Sequence, residues 1–148
     1  SVVMKKSVVM FCLLLSITDN ALGNIIIENS WVRAAAPGTK VMAAYMTIVN
    51  NSVKPIEMDI EKIISKGFKK TEVHKSSLND MMTMEKIDTL IIKPNESLVL
   101  EPGGLHFMLI NPEKVPEKNT AVEMLIFFTQ GKETEVIRIE AEVRSQKL

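Results

Sequence analysis

Cysteine is nearly missing from this chain: the only one, Cys12, sits in an apolar stretch close to the N-terminus. Downstream of that stretch no disulfide and no thiolate metal site can form. Excess charge of either sign is also missing. Eighteen basic and eighteen acidic residues balance to zero, which removes the electrostatic case for a nucleic-acid or anionic-membrane partner. Aromatic residues make up only 5% and histidine occurs twice, as His74 and His106. No Pro/Ser-rich linker, internal repeat or long helical stripe interrupts the 148 residues, so one domain is expected. What the chain has in quantity is apolar side chains, at 46%, and methionine, ten in number. The first is enough for a real core. The second supplies soft thioether sulfur as well as packing material.

The N-terminus has the layout of an export signal. Lys5 and Lys6 precede the apolar run Ser7 to Thr18, and Ala21-Leu22-Gly23 offers a small-x-small cleavage site. The run is too short to span a bilayer comfortably. Cys12 follows bulky Phe11 within the run, which does not suit a lipid-attachment cysteine. Residues 1–23 are therefore expected to be a cleaved signal peptide, and residues 24–148 the mature domain, soluble, periplasmic and without a transmembrane segment. Cleavage removes Lys5, Lys6 and Asp19, leaving 16 basic and 17 acidic residues, a net charge of −1 and no cysteine.

After the signal, short apolar segments are punctuated by turn residues, as in an all-β domain. Strands are expected at Ile25 to Arg33, Val41 to Val49, Ile56 to Ser65, Thr71 to Ser76, Met81 to Ile87, Ser97 to Leu100, His106 to Asn111, Val122 to Thr129 and Glu133 to Arg144. In the last of these Ile137, Ile139, Ala141 and Val143 alternate with Arg138, Glu140, Glu142 and Arg144, the mark of a strand with one wet face. Its partner, Val122 to Phe128, is apolar on both faces and should be central. Such strands must close to protect their edges, so a Greek-key barrel or sandwich of seven to nine strands is expected.

Both histidines neighbour methionines. Residues two apart on a strand share a face, so His106 and Met108 project together while Phe107 and Leu109 point to the other side. The preceding Pro102-Gly103-Gly104 turn places this pair at a strand end, near a barrel mouth. Met82 and Met84 repeat the geometry. His74 ends a short strand and is followed by a polar turn leading toward them. Together these segments could gather two imidazoles and two thioethers. Thioethers bind hard cations poorly and favour Cu(I), whereas Cu(II) prefers harder donors. Imidazole must be neutral to ligate, so affinity should weaken below about pH 6. Met42, Met46, Met58, Met81 and Met124 are assigned to packing, and Met82 to either the site or the core. Trp31 is read as a core anchor, with an edge position over the metal as the alternative. Arg33 is read as a solvated charge. No Ser-His-Asp pattern, P-loop or thiol suggests an enzyme.

The spacing resembles that of the periplasmic copper chaperones of the PCuAC type, whose motif is H-(M)-x10-M-x21-H-x-M. Here 21 residues separate Met84 from His106, and His106-x-Met108 follows. Trp31-Val32-Arg33-Ala34 with Pro37-Gly38, the segment Val41 to Asn50, and Glu101 to Leu109 resemble the family's first strand and loop, second strand and ligand hairpin. Two positions depart from the motif. Only nine residues lie between His74 and Met84, and the optional methionine after the first histidine is Lys75. Keeping ten would place Glu85 at the ligand position; Met84 is preferred because its spacing to His106 is intact. A misplaced His74 would leave three ligands or recruit Met82.

The resemblance implies a cupredoxin-like barrel that binds Cu(I) through His74, Met84, His106 and Met108. It lacks the cysteine of an electron-transfer copper centre. It also implies a carrier that delivers copper toward assembly of a cytochrome c oxidase copper site. Its partners would be the copper-accepting oxidase subunit and a Cys-containing copper chaperone. Copper sequestration for tolerance shares the same site. A metal-free β-sandwich interaction module would instead keep the two histidines far apart.

Overall fold

A computed structural model describes residues 24–76 and 84–146 of the chain. The signal-peptide expectation, Cys12, Met81 and Met82 lie outside the described residues. Within them the chain is all-β, with eleven strands. These are β1 (Ile25–Arg33), β2 (Val41–Asn50), β3 (Ile56–Met58), β4 (Ile64–Ser65), β5 (Phe68–Ser76), β6 (Met84–Ile87), β7 (Leu90–Ile92), β8 (Ser97–Leu100), β9 (Leu105–Pro112), β10 (Ala121–Gln130) and β11 (Glu133–Arg144). Among the described residues no helix is long and apolar enough to cross a membrane.

The strands run in the order β6-β5-β9-β2-β1-β11-β10-β3-β7, with β8 added on β2 and β4 on β10. This makes a nearly closed, cupredoxin-like barrel. The expected class holds, but the strand count exceeds seven to nine because short pieces take over at the corners. Ile56 to Ser65 is not one strand. It splits into β3 and β4 around a single 3-10 turn, Ile60–Lys62. The three-residue β7 pairs with β3 across Ile56–Ile92 and Met58–Leu90. β10 is central, paired with β11 on one side and with β3 and β4 on the other.

Alternation fills the interior. Val32, Ala44, Ile48, Ile56, Val73, Phe107, Leu109, Met124, Ile126, Phe128, Ala141 and Val143 are fully buried. Each of the larger side chains contributes about 1.5–3 kcal/mol by leaving water. Met42, Met46, Met58 and Met124 all belong to this core, as their assignment to packing required. Asn50 is also fully buried. Its amide donates to the carbonyls of Lys54 and Ile92 at 2.8 and 2.9 Å, tying the end of β2 to the β3–β7 corner.

One irregularity decides which side chains face out. In β1, Glu28 pairs with Thr47 but Trp31 pairs with Tyr45, so Asn29 and Ser30 together oppose Met46. Asn29 has φ 53°, a left-handed conformation that asparagine tolerates. This is a β-bulge, and it inverts the facing of the residues beyond it. Without it Trp31 would enter the core opposite Ala44. With it Val32 enters, and Trp31 lies on the outer face, where its ring centroid is 4.7 Å from that of Tyr45. Trp31 is thus buried, but not as an anchor of the interior. Arg33, expected to be simply solvated, lies over the Tyr45 ring at 5.6 Å, and Arg144 lies over Trp31 at 4.9 Å.

Candidate metal centre

The pairing of β5 with β9 builds the site. Val73 opposes Phe107 and Thr71 opposes Leu109, and these four face inward. The alternate residues face outward: His74 opposes His106, and Glu72 opposes Met108. Directly opposite residues have Cβ atoms about 4.5–5.5 Å apart. Four side chains therefore stand at the corners of one small rectangle. It lies on the outer face of the sheet, beside the Pro102–Gly104 turn at the start of β9. The two imidazole centroids are 6.2 Å apart, with an interplanar angle of 27°. A metal–imidazole bond of about 2.0 Å puts a ring centroid roughly 3 Å from the metal. Two rings that share one ion have centroids at most about 6 Å apart, so the observed separation lies at the edge of that limit.

His106 is held from behind. Its Nδ1 lies 3.1 Å from the carbonyl of Gly104. A carbonyl only accepts, so Nδ1 carries the proton and Nε2 keeps its lone pair for a ligand. The same carbonyl accepts the Ser76 N–H at 3.2 Å, which fastens the end of β5 to the turn. Gly103, at φ 85°, supplies the left-handed residue this turn requires. On its other side β9 pairs with β2, with Ala43 opposite Met108 and Ala44 opposite Phe107, and Tyr45 follows on the outer face of β2. Burial pushes the Tyr45 phenol above its ordinary range, and the Arg33 cation only partly opposes this.

His74 is held differently. Its Nε2 is 3.6 Å from Oε2 of Glu72, and both side chains are 14% exposed. Among the described residues, four buried side-chain polar atoms lack a hydrogen-bond partner. Three of them belong to this one spot: Nδ1 and Nε2 of His74 and Oε2 of Glu72. Buried polar atoms are seldom left unpaired, and a bound ion is one recognised cause.

Met84 opens β6 opposite Ser76, while Lys86 stands opposite His74. Met84 is therefore a diagonal neighbour of His74 on the same face, and it is 53% exposed. Diagonal neighbours are about 7–8 Å apart, within reach of a long side chain. The fold thus brings His74, His106 and Met108 together and leaves Met84 at the rim. Among the described residues no group of three or more His, Cys, Asp or Glu forms a metal cluster. The donors gathered here are imidazole and thioether with one carboxylate. Glu72 went unnoticed in the sequence, where it lies among Lys69, Lys70 and Lys75. Its period-2 relation to His74 was the available signal.

Residues 25–139, which include all four of these positions, match the family described as "Putative lipoprotein LpqE-like". The chain belongs to the LpqE-like family. Solved structures similar to this LpqE-like chain include the copper-bound PCuAC domain from PmoF2. The identity is 25%, the TM-score is 0.69, and 85% of this chain and 97% of that one are covered. The apo PCuAC domain from PmoF2 matches at 26% identity and a TM-score of 0.68, over 84% and 93% of the two chains. The solution structure of CuI-DR1885 from Deinococcus radiodurans shares the fold at 21% identity and a TM-score of 0.62, over 86% and 84%. No curated protein matches the LpqE-like chain.

Proposed function

We propose that this chain is a periplasmic carrier of Cu(I), which it binds as cargo through His74, Met84, His106 and Met108. The observation that carries the reading is the facing pair His74–His106 with Met108 two residues along β9. The partnerless nitrogens of His74 add to it. Likeness to a copper-bound PCuAC domain supports it. Two neutral imidazoles and two neutral thioethers suit a soft monovalent ion and disfavour Mg2+ or Ca2+. The rim position of Met84 gives release a path. An incoming ligand displaces the exposed thioether first, and the ion leaves as the remaining bonds exchange. No substrate bond is broken, so the chain acts as a carrier and not as an enzyme. The acceptor in this reading is the copper site of a cytochrome oxidase subunit, with a Cys-containing chaperone assisting.

The purified protein is expected to bind one Cu(I), and His106→Ala combined with Met108→Ala to abolish that binding. Competition with a Cu(I) chelator under reducing conditions measures both. Unchanged stoichiometry in the double variant rejects the site. Transfer of Cu(I) to an apo-oxidase copper domain then tests delivery; retention of copper by the carrier would favour sequestration.

A further inference from the structure

The proposed thioether site uses only one edge of the donor rectangle on β5. Glu72 occupies a corner equivalent to that of Met108, directly across the strand pair from it. Its Oε1 lies 3.8 Å from Lys70 Nζ. Its Oε2 has no hydrogen-bond partner and is turned toward His74 Nε2 at 3.6 Å. A buried carboxylate oxygen left beside an unpartnered imidazole is costly unless a cation takes up both. The cation directly opposite His74, Lys86, is exposed and makes its ion pair with Asp88 at 3.9 Å.

From this placement we infer that Glu72 is a further metal donor, which lets the same cradle hold a divalent transition ion, Cu(II) foremost, through Glu72, His74 and His106. The inference rests on the copper-site reading given above. It adds a second donor set in which the Glu72 carboxylate stands in place of the two thioethers when the ion is divalent. The chemistry of the donors separates the two sets. Two imidazoles with two thioethers leave both charges of Cu(II) uncompensated and offer it soft donors. Replacing the thioethers by a carboxylate supplies one negative charge and a hard oxygen. Cu(II) also stands highest in the affinity order of the divalent first-row ions for nitrogen and oxygen donors. Among the described residues these three do not form a closed cluster. Rotation of the Glu72 side chain, whose Oε2 makes no hydrogen bond that must first break, closes it.

The test uses the purified protein and two probes, Cu(II) under air and Cu(I) under reducing conditions, each titrated against a competing chelator. Glu72→Gln keeps the size of the side chain and removes its charge. It is expected to lower the ratio of Cu(II) to Cu(I) affinity at least tenfold and to change the Cu(II) paramagnetic-resonance spectrum, as loss of an oxygen donor requires. Met108→Ala is expected to shift the ratio the other way. Glu72→Asp, which keeps the charge on a shorter arm, guards against a folding artefact, and its spectrum should differ from both wild type and Glu72→Gln. A ratio unchanged within threefold together with an unaltered spectrum in Glu72→Gln overturns the inference. His106→Ala keeps the two readings apart: if it leaves both affinities intact, the copper site itself falls.

Discussion

The Gly104 carbonyl and the Glu72 carboxylate treat the two histidines unequally. His106 is fixed by a backbone acceptor and arrives with its ligand nitrogen free. His74 is fixed only by strand pairing and a charged neighbour. The outward pairing of His106 with Met108 was legible in the sequence, because a period of two needs no tertiary knowledge. The role of Glu72 was not, since a glutamate among lysines looks solvated until the opposite strand is known. Tyr45 gives a direct check at this scale, being the only tyrosine in the chain. Burial raises its proton affinity in the folded state, ahead of the opposing effect of Arg33. The folded protein therefore holds this proton more tightly than the unfolded chain. Stability should fall as pH rises from the ordinary phenol range through the raised one. An ultraviolet titration should show a single phenol ionising above the ordinary range, and Tyr45→Phe should remove that step and flatten the alkaline loss of stability.

Strand β9 carries both a metal-facing and a core-facing set of residues, and the two are mechanically linked. Phe107, fully buried, lies between His106 and Met108 and opposes Val73 next to His74. Phe107→Ala is expected to cost about 3–5 kcal/mol, a large part of the stability of an ordinary domain. Urea denaturation would show this, and metal affinity should fall as well although no ligand is changed. The long elements β1, β2, β9, β10 and β11 were readable from alternation and flanking turns to within a residue or so. The corner formed by β3, β4 and β7 was not. Pieces of two or three residues are too short to show a period, and what fixes them is Asn50 and pairing with distant strands. The nine residues between His74 and Met84 are where this chain departs from the family spacing. Met84 begins β6 on the face that carries His74.

A long-range pairing joins the two halves of the sheet: β1 and β11 run parallel, with Trp31 opposite Glu142 and Arg33 opposite Arg144. This sets the end of β11 beside the end of β1, where Trp31 and Arg33 stand. Lys86, His74 and His106 stand in one row across β6, β5 and β9, and Tyr45 and Trp31 stand opposite each other on β2 and β1. Trp31 stands there only because two residues at Asn29 and Ser30 oppose one on β2. Counting by twos from Ile25 puts the tryptophan inside, and no local signal in the sequence announces the inversion. Its practical result is a built-in optical reporter. The sole indole of the protein stands two strands from the His106 ring, about 10 Å away at ordinary strand spacing. Bound Cu(II) should therefore quench its emission without any added dye, and His106→Ala should leave the emission of metal-treated protein undimmed.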